Sequence, residues 1–323
     1  FNILDSTSVR VLIEQVYEPH YRHYGQEFGK TFEGFFSDEP EFGNLPGYDF
    51  QARLGERMKF IPWSRELSEK LQKIWGGEFV ENLPALWYLC GERTDIIRYE
   101  YMDAVTKQLK TSFSDQIHAW CSERGVLHVG HIIEDDNSHG RLGCSTGHYF
   151  RTMSSFDMAG IDVVLLQVMP GMDQETHQWV ASDRDGEFFH YGLGKLGSSM
   201  AHINPLHKGR AMCEIFGAYG WQEGVSLMKW LADHMLVRGI NYFVPHAFSP
   251  EKYPDPDCPP HFYASGKHMQ YPYFQKLMGY INRMGHLLSA GHYPARAAVL
   301  YHADAEWTGQ EAQLFQKPLR SLM

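Results

Sequence analysis

Residues 210–248 read RAMCEIFGAYGWQEGVSLMKWLADHMLVRGINYFVPHAF. The first part, RAMCEIFGAYG, is apolar and β-branched or aromatic enough for a buried strand. EGVSLMKWLADHMLVRG then follows with apolar residues at helical spacing and a natural stop at Gly239, and INYFVPHAF is again a strand. A strand that is apolar throughout is buried on both faces, and two such strands joined through a helix run parallel.

The same alternation extends in both directions. SVRVLIEQVYEPHYRHY (8–24) places Val9, Leu12, Ile13, Val16 and Tyr17 at helical spacing, and TFEGFFSDE (31–39) follows as a strand. A long polar and aromatic passage to about Arg93 holds one helix near 64–75. The strongest helix is TDIIRYEYMDAVTKQLKTSFSDQIHAWCSERG (94–125), with Ile97, Tyr101, Val105, Leu109, Phe113, Ile117 and Trp120 on one stripe and Gly125 as its stop. VLHVGHIIEDD (126–136) is a strand ending in acids, RTMSSFDMAG a short helix, IDVVLLQV (161–168) a strand and GKLGSSMAHIN partly helical. Beyond residue 248, the Pro-rich SPEKYPDPDCPP is a loop, YFQKLMGYINRMGHLLSAG a helix and ARAAVLYHA (295–303) a last strand.

Composition excludes several function classes. With a formal charge of -10 and no long basic run, attraction to phosphate backbones does not drive binding, so nucleic acid is not an expected partner. No apolar run reaches membrane-spanning length, so neither is a membrane. Five cysteines (Cys90, Cys121, Cys144, Cys213 and Cys258), odd in number and without a CxxC, fit reduced thiols in a reducing compartment, and cytoplasmic placement is the expectation. The oligomeric state is not legible. His128 and His131, three apart on a strand, point to opposite faces, and His202 and His207 span Pro205; there is no HExxH, GxSxG or P-loop, so no metal or other cofactor is expected.

Alternating strands and helices fit a doubly wound sheet or a barrel. Polar residues recur at the carboxyl ends of the strands (Glu39, Glu134, Gln167, Glu214 and His246), and a barrel gathers such ends around one mouth. The expected fold class is therefore α/β, a (β/α)8 TIM-type barrel. About five strand–helix units precede the last strand where eight are needed. Phe1 stands where a Met would open a complete chain, so the expectation is a barrel whose amino-terminal strands lie upstream.

The ordered set GFFSDEPEFGN, VGHIIEDD, AMCEIFGAYGW and GINYFVPHAFSP resembles the barrel of large bacterial glycoside hydrolases related to family 106, the α-L-rhamnosidase-like group. The closing YPYFQKLMGYINRMGHLLSAGHYPARAAVLYHADAEW is similar to the passage where such barrels hand over to a following α/β domain. The likeness runs from about Asp5 to Trp307. It implies residues 1–290 as the carboxyl-terminal portion of a catalytic barrel, and 291–323 as the start of another α/β domain. The implied activity is cleavage of a glycosidic bond in a plant- or host-derived carbohydrate.

Glycoside hydrolysis uses two carboxyl groups, one donating a proton to the leaving oxygen, the other attacking the anomeric carbon or activating water. In related clan-A barrels the paired glutamates lie on the fourth and seventh strands, and TFEGFFSDE and RAMCEIFGAYG are also three strands apart. The resemblance thus implies Glu39 as general acid and Glu214 as nucleophile or base. The pleat alone leaves Asp38, Glu39 and Glu41 open, and requires Asp38 and Glu39 to diverge if the strand continues through them. Glu214 also reads as a buried structural carboxylate paired with Arg210.

Expected substrate-binding residues are Glu134, His131, His246, Trp221, Asp38 and Gln167. Either histidine reads equally as a satisfied core residue. Asp135 and Asp136 in EDDNSHG form a solvated turn or an oxygen-rich Ca²⁺ site. Trp63, Trp75, Trp87, Trp179 and Trp221 are stacking platforms or ordinary packing, with Trp221, directly after a strand, the first choice as platform. The rival functions are a carbohydrate-binding barrel without catalysis, a β-galactosidase-like enzyme and a metal-assisted hydrolase using the EDD cluster.

Overall fold

The computed structural model describes residues 1–57, 59–133, 139–174, 176–178, 183–291, 293–309 and 315–323. The chain forms two compact units. The first comprises chiefly Phe1–Asp157 and Val299–Phe315; the second comprises Met158–Gln178, Arg184–Ala298 and Gln316–Met323. Seven strands are present among the described residues: β1 (Gly34–Ser37), β2 (Leu127–Gly130), β3 (Ala159–Val163), β4 (Thr176–Gln178), β5 (Asp183–Asp185), β6 (Ala211–Ile215) and β7 (Tyr242–Pro245). They make three small sheets, β1–β2, β3–β6–β7 and β4–β5, of which the first two are parallel.

In the first unit the stripe on 94–125 does what its spacing requires. Thr94–Leu109, a π-helical turn Lys110–Asp115 and Gln116–Glu123 run on without a break, and all seven stripe residues are buried. Gly125 ends the run with φ +68°, a left-handed conformation a side chain would resist. The amino-terminal helix likewise runs as Ser6–Leu12, a π turn Ile13–Tyr17 and Glu18–Tyr24, opened by Asp5, whose carboxylate accepts from Ser8 N at 2.9 Å. Its Val9, Ile13 and Tyr17 are buried, whereas Val16 faces solvent.

Phe35 of β1 is held between these helices, with its ring stacked 4.3 Å from Tyr17 and edge-on to Trp120 at 5.7 Å. Trp120 Nε1 donates to Glu18, and the Arg124 guanidinium lies 4.1 Å from the Trp120 ring. Segment 299–309 is tied to the same unit by polar groups. Arg98 donates to the Thr308 carbonyl at 2.8 Å, Trp307 Nε1 to the Gly147 carbonyl at 2.9 Å, and Glu306 pairs with Arg141 and Arg53 at 3.1 and 3.4 Å.

In the second unit β3 and β6 are buried apolar runs, each interrupted by one acid. The register pairs Ile161 with Cys213 and Asp162 with Glu214, and on β7 it sets Val244 beside Glu214. Asn241 pins the start of β7, its Oδ1 accepting from Ala211 N and its Nδ2 donating to the Gly209 carbonyl, both at 2.9 Å. Helix Gly194–Ile203 packs on the face that carries Ile161, because a Cβ at Gly197 would touch the Ile161 and Ile240 side chains. Since side chains alternate, Asp162, Glu214 and Val244 stand on the opposite face.

Several elements differ from expectation. ARAAVLYHA is not a strand: 295–302 lacks regular structure, and Leu300 is 78% exposed. Alternating apolar residues need a neighbouring edge to pair with, and none of the described strands supplies one. TFEGFFSDE shortens to Gly34–Ser37 because Glu39 takes φ +42°. IDVVLLQV is strand only to Val163, since Leu165 and Leu166 also have positive φ. The stripe argument is testable at its centre: Leu109→Ala should lower unfolding free energy by about 2–5 kcal/mol in denaturant titration, whereas Val16→Ala, on the exposed side, should change it by less than about 0.5 kcal/mol.

Candidate functional site

In the first unit the site begins where β1 ends. Ser37 Oγ lies 2.9 Å from His128 Nε2, and the buried His128 ring stacks on Phe156 at 4.0 Å. His128 N donates to the Asp157 carboxylate at 2.8 Å while Asp157 N returns a bond to the His128 carbonyl at 2.7 Å. Burial, aided by His118, pulls the His128 pKa down to about 3, so this imidazole is neutral at ordinary pH. It is a locking residue, and its neutrality lets it sit in the core. Gly130 has to be glycine, because an added Cβ would stand 2.1 Å from the Ser37 carbonyl oxygen.

Beyond this lock the chain departs from the pleat. The left-handed turn at Glu39 brings Asp38 and Glu39 together instead of sending them apart, which corrects the divergence expected of a continuing strand. His131 Nε2 sits 3.3 Å from Asp38 Oδ1, and ligand-type atoms of Asp38, Glu39 and His131 all lie within 4.8 Å of one another. The three could hold a cation, a grouping that sequence spacing did not suggest. Glu41 is partly covered, and burial raises its pKa. Tyr48 was missed by sequence reasoning: Glu39 first, then burial and Glu41, raise its phenol pKa, so it stands close to the acids. Nothing in the passage around Tyr48 marked it, since its approach depends on how the loop folds back. Glu134, with Asp135 and Asp136, lies outside the described residues.

The second unit builds its own group at the carboxyl ends of β3, β6 and β7. Glu214 is half-buried on the face opposite helix Gly194–Ile203. Asp162, buried and absent from the expected set, stands abreast of it on the neighbouring strand, at a strand spacing of about 4.8 Å. Arg210 precedes β6, and its Nε donates to the His207 carbonyl at 3.1 Å. His246 follows β7, and its ring packs against Gly217, where a Cβ would meet it at 3.0 Å. Its buried Nδ1 has no hydrogen-bond partner among the described residues. Gln167 is buried, and its side-chain oxygen accepts from Val164 N at 3.0 Å, so it braces the turn after β3.

Trp221 is 37% exposed on the loop after β6. Of the other tryptophans, Trp75 donates to Glu100 and Trp87 to the Lys59 carbonyl, while Trp63 stacks on Tyr101 at 6.5 Å. Trp75 and Trp87 are thereby engaged in packing, while Trp63 remains 37% exposed; Trp179 lies outside the described residues. Two residues beyond Trp221, Glu223 is 2% exposed, and neither carboxylate oxygen has a hydrogen-bond partner among the described residues. Burial pushes its pKa up to about 8.

No family model matches the chain, and no curated protein matches it. A solved structure, that of a rhamnosidase from Novosphingobium sp. PP1Y, superimposes with a TM-score of 0.60 over 90% of this chain at 18% identity. The likeness shows a rhamnosidase-like fold, and the chain spans about a quarter of that structure's length, 25%. Among the described residues no helix is long and apolar enough to cross a membrane.

Two tests follow from the geometry. An acid whose folded pKa is raised binds its proton more tightly folded than unfolded. Glu223 therefore favours folding below about pH 4.5, and that contribution is lost as pH rises through about 8. Glu223→Gln should accordingly flatten the fall in stability between those limits and, at pH 9, exceed the parent by on the order of 1–3 kcal/mol, measured by denaturation at several pH values. Glu39→Gly should raise stability by about 1 kcal/mol, because glycine adopts positive φ without the cost a side chain bears.

Proposed function

We propose that the chain is part of a glycoside hydrolase, α-L-rhamnosidase-like, acting on a plant- or host-derived carbohydrate. In this reading the parallel strands belong to a (β/α)8 barrel whose remaining strands lie elsewhere in the protein. The observation that carries the reading is Glu214: an acid near the carboxyl end of a parallel strand, turned away from the packed helix and flanked by a second acid, Asp162. Such ends are where barrel enzymes keep their chemistry. The shared fold with a rhamnosidase supports the same class.

Glu39 in the first unit is proposed as a proton donor and Glu214 in the second as a nucleophile or base, each role standing or falling with its own substitution. His131, His246 and Asp38 would meet sugar hydroxyls; a neutral imidazole both donates and accepts there. Full-length protein assayed on p-nitrophenyl α-L-rhamnoside should lose about 10²–10⁴ in kcat with either Glu39→Gln or Glu214→Gln, with sugar binding retained. Unchanged turnover in Glu39→Gln removes it from the mechanism.

A second reading is favoured by the convergence of Asp38, Glu39 and His131. Two carboxylates and an imidazole suit a divalent cation, which would bind sugar hydroxyls or polarise the reacting bond. Glu39 would then be a ligand. Dialysis against EDTA separates the two: activity lost on chelation and restored by Ca²⁺ or Mn²⁺ selects the cation, and activity indifferent to chelator selects direct proton donation.

A further inference from the structure

The loops after β6 and β7 form a cluster that the proposed acid–base chemistry leaves unused. Ala218 N donates to the Cys258 carbonyl at 3.3 Å and Gly220 N to the Pro259 carbonyl at 2.9 Å, which zips the two loops together. Trp221 emerges from that junction. Its ring meets Tyr253 edge-to-face at 5.5 Å and 73°, lies 5.8 Å from His261 and is tilted toward His268 at 6.2 Å. His261 is buried, and its Nε2 donates to the Asp257 carbonyl at 2.6 Å, so the loop beneath the rings is internally braced. Burial lowers the His268 pKa, leaving a neutral ring at the edge of the group.

Trp221 and Tyr253 nevertheless keep 37% of their surface exposed each. Large rings held rigidly and left uncovered are suited to receiving another ring. The cluster is also linked to the candidate catalytic acid. Cys258, on the same loop as Tyr253, is close enough to Glu214 for that carboxylate to raise its thiol pKa, after burial, Asp257 and Asp255. Glu214 is the penultimate residue of β6, and Trp221 stands on the loop that leaves the same strand. The Ala218 N bond to the Cys258 carbonyl holds the Tyr253 loop against it, so platform and Glu214 both lie toward the carboxyl end of β6.

We infer that Trp221 and Tyr253 form an aglycone platform beside Glu214, which accepts a flat or C–H-rich ring attached through the glycosidic oxygen. This rests on the glycosidase reading and adds to it the side of the bond that is recognised. The preferred substrates are then glycosides with an aryl or pyranose aglycone, in contrast to simple alkyl glycosides.

Cys258 and Cys90 are both exposed, which provides a readout independent of turnover. N-ethylmaleimide labelling of the full-length protein at pH 8, followed by mass spectrometry, should be slowed at Cys258 and not at Cys90 by p-nitrophenyl α-L-rhamnoside. Methyl α-L-rhamnoside should shield Cys258 less. Trp221→Ala should abolish the shielding and raise KM for the aryl glycoside about tenfold more than for the methyl glycoside, and Trp221→Phe should restore most of both. Turnover without selective shielding, or equal KM changes for the two glycosides, overturns the platform and leaves hydrolysis standing. Shielding that depends on Trp221 without turnover does the reverse.

Discussion

Parallel pairing in fixed register is the constraint on which the second unit depends. Asn241 bonds to both sides of the turn into β6, and once Ala211 and the start of β7 are locked, every later residue is assigned to a face. A slip of one position would turn Glu214 toward the Ile161 face and bury it against helix Gly194–Ile203, where an unpartnered carboxylate would have to take up a proton or force the packing apart. Gly197 is where that helix meets the sheet, a Cβ there standing 3.5 Å from the Ile161 side chain and 3.3 Å from that of Ile240. Apolar packing on one side thus decides which carboxylates are offered on the other.

The first unit reaches a similar end by different means. A neutral buried histidine bonded to Ser37, and a glycine at 130 that lets β2 approach β1, fix the last pleated position before the acids. Past that position the backbone is strained at Glu39, and the strain is what gathers Asp38, Glu39 and His131. Cost at one residue is offset by the rigid helices that clamp Phe35 beneath it.

Much of this was legible beforehand. The seven-residue stripe on 94–125 and the strand–helix–strand passage at 210–248 are long and strongly periodic, so local pattern and tertiary burial agree. Short elements were less legible. The apolar alternation of 295–303 looks like a strand, but pairing depends on a neighbour that local sequence does not name. Likewise, Gln167 sits at a strand end yet spends its side-chain oxygen on Val164 N, a turn contact set by the backbone after β3.

The sequence by itself determined the mixed α/β character, the order of its long periodic strands and helices, and which acids fall near strand ends, because these follow from periodicity and from the cost of burying charge. Only the tertiary structure decided who stands beside whom. Asp162 next to Glu214, Tyr48 near Glu39 and Tyr253 against Trp221 are meetings between residues far apart along the chain or across a folded loop. Such meetings are products of register, positive φ and loop closure, and none of these leaves a periodic mark in the sequence.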